Sequence, residues 1–536
     1  MGVSPVVPPA LAPVPQFCHG LFCVSIPGDC NLWHNRGMSV EPIPDAEPVP
    51  LAKPVPLAPV GRHERIVTLD ILRGAAVLGI LLVNIQYYAF PSLEAEDWRF
   101  EGSSPADTAT RYGIEFFATM KFISIFSLLF GMGLALQSDR AAARSRPFAG
   151  TYVRRLVVLM VIGLAHGTLL WYGDILLFYA VIGFIALLCR NARPKFLLIS
   201  AIILLLVPLV FMGGCAAVFP EEMAHGELDW LRIADDYRAA SQYSVGAESQ
   251  PANDSPTTTT AGASSSEIRP PPLEGAGHLT ATPSSKPSAA TSQEAPPQDP
   301  ALEFFAFMAD EEHIYRFGTW GEMVLHRSVM FAIVWITTIM IFGWRTLAMF
   351  FLGICFIRLR ILTDSNRHRR TYQYMVWIGL AIGLPMQLMA IWARTTNPDN
   401  AWGVMAFFSG LYIGSLGLFL AYVGVVALIC LRSDWLARLS PLASVGRTAL
   451  TNYLSHSIIC YFIFYSSGLG LFGEINYPTA ILIVLAIFAV QLVVSPIWLR
   501  YFKFGPFEWI WRTLTYWRLQ PMRLHPAPST AGAGDV

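Results

Sequence analysis

Charge is what this sequence has least of. Only 14 % of its 536 residues are Asp, Glu, Lys or Arg, where soluble domains carry roughly a quarter. Hydrophobic residues make up 54 %, and the mean hydropathy is +0.47. That scarcity of charge excludes a soluble globular enzyme and a disordered scaffold. The apolar excess points to an all-α, polytopic membrane bundle. Neither sign dominates: 37 basic residues face 37 acidic ones, so no nucleic-acid partner is indicated. The eight cysteines form no C-x-x-C and no Cys/His pair at zinc spacing, which argues against a metal centre. Cys189, Cys215, Cys355, Cys430 and Cys460 read as small apolar core residues. A G-x-S-x-G elbow, a Walker loop and an H-E-x-x-H helix are all missing, so a soluble-type hydrolase or an ATPase finds no support. The N-terminus has no secretory profile either: its first Lys or Arg is Arg36, and prolines interrupt any apolar region. Met38 offers an alternative start.

What is present is a series of apolar runs long enough to span a bilayer. They lie near 70–90, 114–137, 152–171, 174–190 and 196–219, and again near 372–392, 402–431, 446–465 and 479–501. Residues 324–357 are apolar but interrupted by Gly343-Trp344-Arg345. The expected organisation is a disordered Pro-rich 1–60, a membrane half 61–220, an extracytoplasmic segment 221–320 with a low-complexity insert at 236–300, a second membrane half 321–520 and a disordered tail 521–536. Loop charge orients the chain. Arg140, Arg144, Arg154 and Arg155 mark a cytoplasmic loop, as do Arg358, Arg369 and Arg447, whereas Glu94, Asp107 and Glu474 fall outside. Positive-inside reasoning puts both termini in the cytoplasm, with the bilayer of a bacterial inner membrane as the solvent. Going from outside at 220 to inside at 358 needs an odd number of crossings. About ten spans are therefore expected, with 324–357 split into two pieces of which one is short, tilted or interfacial.

Polar groups within spans are costly and hence informative. In RIVTLDILRGAAVLGILLVNIQYYAFP, Asp70 and Arg73 share a helix face, and Asn84 lies on the same stripe about 16 Å further along. A helix cap, a snorkelling arginine and an interhelical hydrogen bond are the plainer roles for these three. Lys121 sits near the outer end of the second span. His166 lies in an apolar helix, and Asp174 follows the tight Trp171-Tyr172-Gly173 turn. Asp174 could orient the imidazole so that His166 acts as a general base, or it could simply cap the next helix. Arg447, Thr448, Thr451, Asn452, Ser455 and His456 crowd one further helix, which suggests a wet lining. GPFEWIWR, with Glu508 and Arg512 among tryptophans, reads as an interfacial belt.

Five segments, LDILRGAAVLGILLVNI, FSLLFGMGLAL, RRLVVLMVIGLAHGTLLWYGDILLFYAVIG, GRTALTNYLSHSII with GLGLFG, and GPFEWIWR, resemble the YeiB-like family of bacterial membrane proteins, a domain of unknown function. That family is distantly similar to transmembrane acyltransferases such as the lysosomal glucosaminide N-acetyltransferase, through Asp70, Arg73-Gly74 and Asn84. The resemblance implies acyl-CoA entering from the cytoplasm as donor substrate, with no resident cofactor, and an envelope glycan or lipid hydroxyl or amine as acceptor. The lysosomal enzyme has its active-site histidine shortly after that Asn, whereas YYAFPSLEAEDW contains none. Another base is needed: His166 with Asp174 first, His456 second. The catalytic candidates are thus His166, Asp174 and Asn84, and the substrate-binding candidates are Asp70, Arg73, Lys121, Arg447, Asn452 and His456. A transporter or flippase for a small envelope metabolite is the rival reading, since two halves with polar stripes also suit alternating access.

Overall fold

In a computed structural model of the chain, the residues described are 66–96, 104–218, 307, 310–363, 367–397 and 400–524. The Pro-rich N-terminus, the insert at 236–300 and residues 525–536 of the tail lie outside them. Among the described residues the elements are helices: α1 Val67–Ala89, α2 Ser92–Glu96, α3 Pro105–Phe117, α4 Lys121–Ala143, α5 Ala149–Leu169, α6 Leu176–Leu188 and α7 Pro194–Val218. There follow α8 Glu311–Phe317, α9 Trp320–Arg358, α10 Arg369–Thr396, α11 Ala401–Cys430, α12 Ser433–Arg438, α13 Ser440–Arg447, α14 Ala449–Phe464, α15 Tyr477–Tyr501 and α16 Pro506–Tyr516. Eight candidate spans are long and apolar enough to cross a membrane, and the shorter apolar helices α6 and α14 bring the set to ten. The protein is a polytopic helical membrane bundle.

Outward-facing side chains fit a lipid environment rather than water. Val210 and Phe211 on α7, Trp377 on α10 and Leu482 on α15 are exposed, as they would be against acyl chains. Inside, α4 and α9 pack around Leu128, Met132, Phe350 and Ile354, all buried. Two glycine contacts set how closely helices approach. Gly417 of α11 meets the backbone of Gly383 on α10, and Gly446 of α13 meets the Asp70 carbonyl and Gly74 nitrogen of α1. Small residues let membrane helices touch backbone to backbone, where packing and not the hydrophobic effect holds them.

Two expectations need correction. The 324–357 region is not two pieces: α9 runs unbroken for 39 residues, about 58 Å at 1.5 Å per residue. Gly343 costs such a helix only about 1 kcal/mol. Arg345 does not end it, because its guanidinium reaches Ser124 Oγ at 3.0 Å and the Tyr412 carbonyl at 3.2 Å. A chain start for α9 is supplied by a capping box between Thr319 and Glu322. Conversely, the run at 114–137 is not one helix. It breaks at 118–120, where Met120 adopts a φ of 66° and its carbonyl accepts from Ser124 Oγ at 2.6 Å. The orphan carbonyls ending α3 are taken up by neighbours: Glu115 by Lys121 Nζ at 2.6 Å, Phe116 by Gln387 at 3.3 Å and Phe117 by Tyr422 at 3.1 Å.

GPFEWIWR, expected as an interfacial belt, also carries a structural carboxylate. Glu508 of α16 is buried, and its carboxylate accepts from the Leu450 and Thr451 backbone N–H groups at 2.7 and 3.1 Å and from the Thr451 hydroxyl at 2.5 Å. It is therefore the N-terminal cap of α14, supplied from 58 residues downstream. Burial pushes its carboxyl above the ordinary value, against the pull of those donors. Glu508→Ala should cost about 2–3 kcal/mol by stranding three donors, the Leu450 N–H fully buried and the two of Thr451 partly so, and Glu508→Gln less. Thermal unfolding in detergent reads the order, and equal melting temperatures for wild type and Glu508→Ala would refute the cap.

Candidate functional site

The C-terminal turn of α5 and the start of α6 face one another across Trp171-Tyr172-Gly173. Gly163 makes this possible, because a side chain there would overlap the Leu177 nitrogen and crowd Asp174 Oδ2. Asp174 does two things at once. Its Oδ2 accepts from the Leu177 N–H at 2.7 Å, and its Oδ1 lies 2.8 Å from His166 Nδ1. The other imidazole nitrogen, Nε2, is 2.7 Å from Ser457 Oγ on α14, and Ser457 Oγ is 2.6 Å from the Tyr88 hydroxyl at the end of α1. All four side chains are buried: Ser457 0 %, Tyr88 1 %, His166 2 % and Asp174 7 % exposed.

One proton assignment satisfies every member. Nδ1–H donates to ionised Asp174, Ser457 Oγ–H donates to Nε2, and Tyr88 O–H donates to Ser457 Oγ. This is the acid–imidazole–hydroxyl order that lowers the cost of removing a hydroxyl proton.

A cavity of about 300 Å³ leads towards this relay. One end is lined by Arg73, Arg140, Arg144, Arg155, Arg447 and Arg512, six guanidinium groups against the two carboxylates of Asp70 and Glu508. Asp70 pairs with Arg73 at 2.9 Å, and the Arg155 guanidinium lies over Trp511, 3.9 Å from the ring centroid. The other end is closed by Ile175, Leu176, Tyr179 and Tyr453. Tyr453 stands between cavity and relay, its ring centroid 5.3 Å from that of His166.

The helices forming the cavity wall carry the relay on the same faces. On α1, Arg73, Val77 and Ile80 line the cavity; Asn84 and Tyr88 continue the stripe at four-residue steps. On α14, Leu450 and Tyr453 line it, and Ser457 is the next position. On α5, Arg155 and Leu159 line it, and His166 lies two turns further.

Residues 356–518 match the family model DUF418, described as a protein of unknown function. The chain is 32 % identical over 470 residues to the uncharacterized protein YxaH of Bacillus subtilis (strain 168), an alignment covering 87 % of this chain and 97 % of the relative. The chain belongs to the DUF418 family. It is also 28 % identical over 473 residues to the uncharacterized protein YeiB of Escherichia coli (strain K12), covering 84 % and 96 % of the two chains. No solved structure matches. The DUF418 match contains Ser457 and Glu508 but not His166 or Asp174, so the relay in this DUF418 protein joins the matched region to helices upstream of it.

The sequence candidates fall into separate places. His166 and Asp174 meet in the relay. Asp70, Arg73 and Arg447 line the cavity. Asn84 is half-buried between the two. Three others belong to different networks. Lys121 is buried against the α3 carboxyl end. Asn452 donates to the Val445 carbonyl, Thr448 and Ser495 at 3.0–3.2 Å. His456 Nε2 faces Gln491 of α15 at 3.0 Å, so both hold the α14–α15 seam. Sequence reasoning missed Ser457 and Tyr88. Ser457 stood in plain view beside His456, but nothing in LSHSII says which of its polar residues turns towards α5. Among the described residues no three His, Cys, Asp or Glu side chains gather as a metal site would.

Proposed function

We propose that this DUF418 protein is a membrane acyltransferase. It takes an acyl group from acyl-CoA at its arginine-rich end, which faces the cytoplasm of a bacterial inner membrane, and delivers it to a hydroxyl or amine of an envelope glycan or lipid. The observation that carries this reading is the continuity just described. Helices α1, α5 and α14 lead from six arginines to a buried Asp–His–Ser relay. A thioester donor has the matching form, with phosphates at one end, a long narrow arm and the reactive carbonyl at its tip. Arginine is the side chain best shaped for phosphate. His166, oriented by Asp174, takes the proton as the acyl group moves. Asn84, one turn from Tyr88, supplies an amide for the thioester carbonyl.

The test is binding of acyl-CoA to protein in nanodiscs. Arg144→Glu and Arg447→Glu, at the mouth and remote from the relay, should each weaken binding about ten- to hundredfold, as loss of a charge-assisted contact of 1.5–3 kcal/mol implies. CoA lacking an acyl group should still bind. Absence of saturable acyl-CoA binding to the wild type would end this reading, as would uptake of an unmodified solute by liposomes with no acylated product.

A further inference from the structure

The relay leaves no free imidazole nitrogen for a substrate. Nδ1 is held by Asp174 at 2.8 Å and Nε2 by Ser457 at 2.7 Å. An acceptor hydroxyl cannot lose its proton to His166 while Ser457 stands there, and the proton that His166 is placed to take is the serine's own. Resting on the acyltransferase reading, we propose that Ser457 is a covalent nucleophile that carries the acyl group as an ester between donor and acceptor.

The position of Ser457 suits that task. It lies one turn beyond Tyr453, whose ring closes the donor cavity and abuts His166. Beyond Ser457, away from the cavity, is Tyr88, its ring tilted against Trp171 at 4.4 Å between centroids, within an apolar cluster that includes Phe464 and Tyr465. An ester on Ser457 therefore sits between the donor cavity and the opposite half of the bundle. Donor and acceptor then never need to occupy one space, which suits a donor cavity on one side of Ser457 and an acceptor on the other.

The chemistry balances without a further reagent. Ser457 Oγ–H gives its proton to His166 Nε2 as Oγ attacks the thioester carbonyl. The C–S bond breaks, and the departing thiolate takes the proton from Nε2 and leaves as free thiol. Tyr88 O–H, which the proton assignment above directs at Oγ 2.6 Å away, stays on the ester oxygen. In the second half an acceptor O–H or N–H gives its proton to Nε2 as it attacks the ester. The C–Oγ bond breaks, and Ser457 Oγ recovers the proton.

The full-length protein in nanodiscs is pulsed with acetyl-CoA or palmitoyl-CoA without acceptor, quenched in acid and digested. The expected result is up to one acyl group per chain on the peptide containing Ser457, with a matching burst of free CoA. Ser457→Ala loses both, and its acceptor-dependent CoA release falls about a thousandfold. Ser457→Cys traps a thioester that neutral hydroxylamine removes, whereas the wild-type ester resists it. An acyl group on another residue, or Ser457→Ala transferring at the wild-type rate, overturns the covalent step and leaves the acyltransferase reading standing. A fluorophosphonate probe supplies an arm independent of any acyl-CoA: it should label Ser457 in the wild type and not in His166→Ala. No labelling overturns the activated serine. Labelling in a protein that turns over no acyl-CoA sustains the nucleophile and rejects the donor.

Discussion

His166→Ala should lower acyl transfer by about a thousandfold or more, the scale on which removing the base of an acid–imidazole–hydroxyl set acts. The substitution removes the acceptor for the Ser457 proton and at the same time strands Asp174 Oδ1. A buried carboxylate without its partner is destabilising, so Asp174→Asn provides a gentler companion. An asparagine side-chain oxygen can still accept from the Leu177 N–H as Asp174 Oδ2 does, which preserves the start of α6, but the amide cannot stabilise the imidazolium that forms. Its loss should approach that of His166→Ala, with the melting temperature close to wild type. Initial rates at matched amounts of monodisperse protein decide the matter. A His166→Ala rate within tenfold of wild type would remove this histidine from the chemistry.

Gly446→Ala should be strongly destabilising although it adds only one methyl. A Cβ there would overlap the Asp70 carbonyl oxygen and crowd the backbone nitrogen of Gly74. None of these is the tip of a flexible side chain, so α1 and α13 must move apart. The expected cost is about 2–4 kcal/mol, in the range of overpacked cores. Because Asp70 and Arg73 are on the displaced wall and Arg447 is the next residue along, the cavity mouth should open with it. Denaturation in detergent and acyl-CoA affinity should therefore fall together. Gly150→Ala, a glycine with no atom near the added methyl, is the matched control and should change neither.

The fold was legible because it follows from composition. Runs of apolar residues with so few charges become membrane helices whatever their partners. The His166–Asp174 pair was also legible, since eight residues and a tight turn leave little choice but contact. Ser457 lies 291 residues from His166, and no local rule links them. Helix α14 carries polar groups on several faces. Asn452 and His456, an i, i+4 pair that looked like a lining, meet Ser495 and Gln491 on α15 instead, and only packing determines which face turns to α5. The misreading at Gly343-Trp344-Arg345 has a related origin. An arginine in an apolar run signals an end when its acceptors are unseen, and here they come from α4 and α11. The partners of the broken α3–α4 junction were equally invisible, for of its four side chains two come from α10 and α11, Gln387 and Tyr422, and two from α4 itself.

The cap on α14 bears on how the protein is made. Helix α14 leaves the ribosome 58 residues before the carboxylate that completes its first turn, so Ser457 enters the membrane on a helix whose leading N–H groups have no Glu508 to meet. Every other member of the relay has already been synthesised by then. Assembly of the site therefore waits on α16 folding back beneath α14 and α5. A nascent chain stalled before Glu508 holds all four relay residues and still lacks the anchor that fixes the serine's helix. The final described helix acts as a latch, closing a site whose parts were delivered in the wrong order to close it themselves.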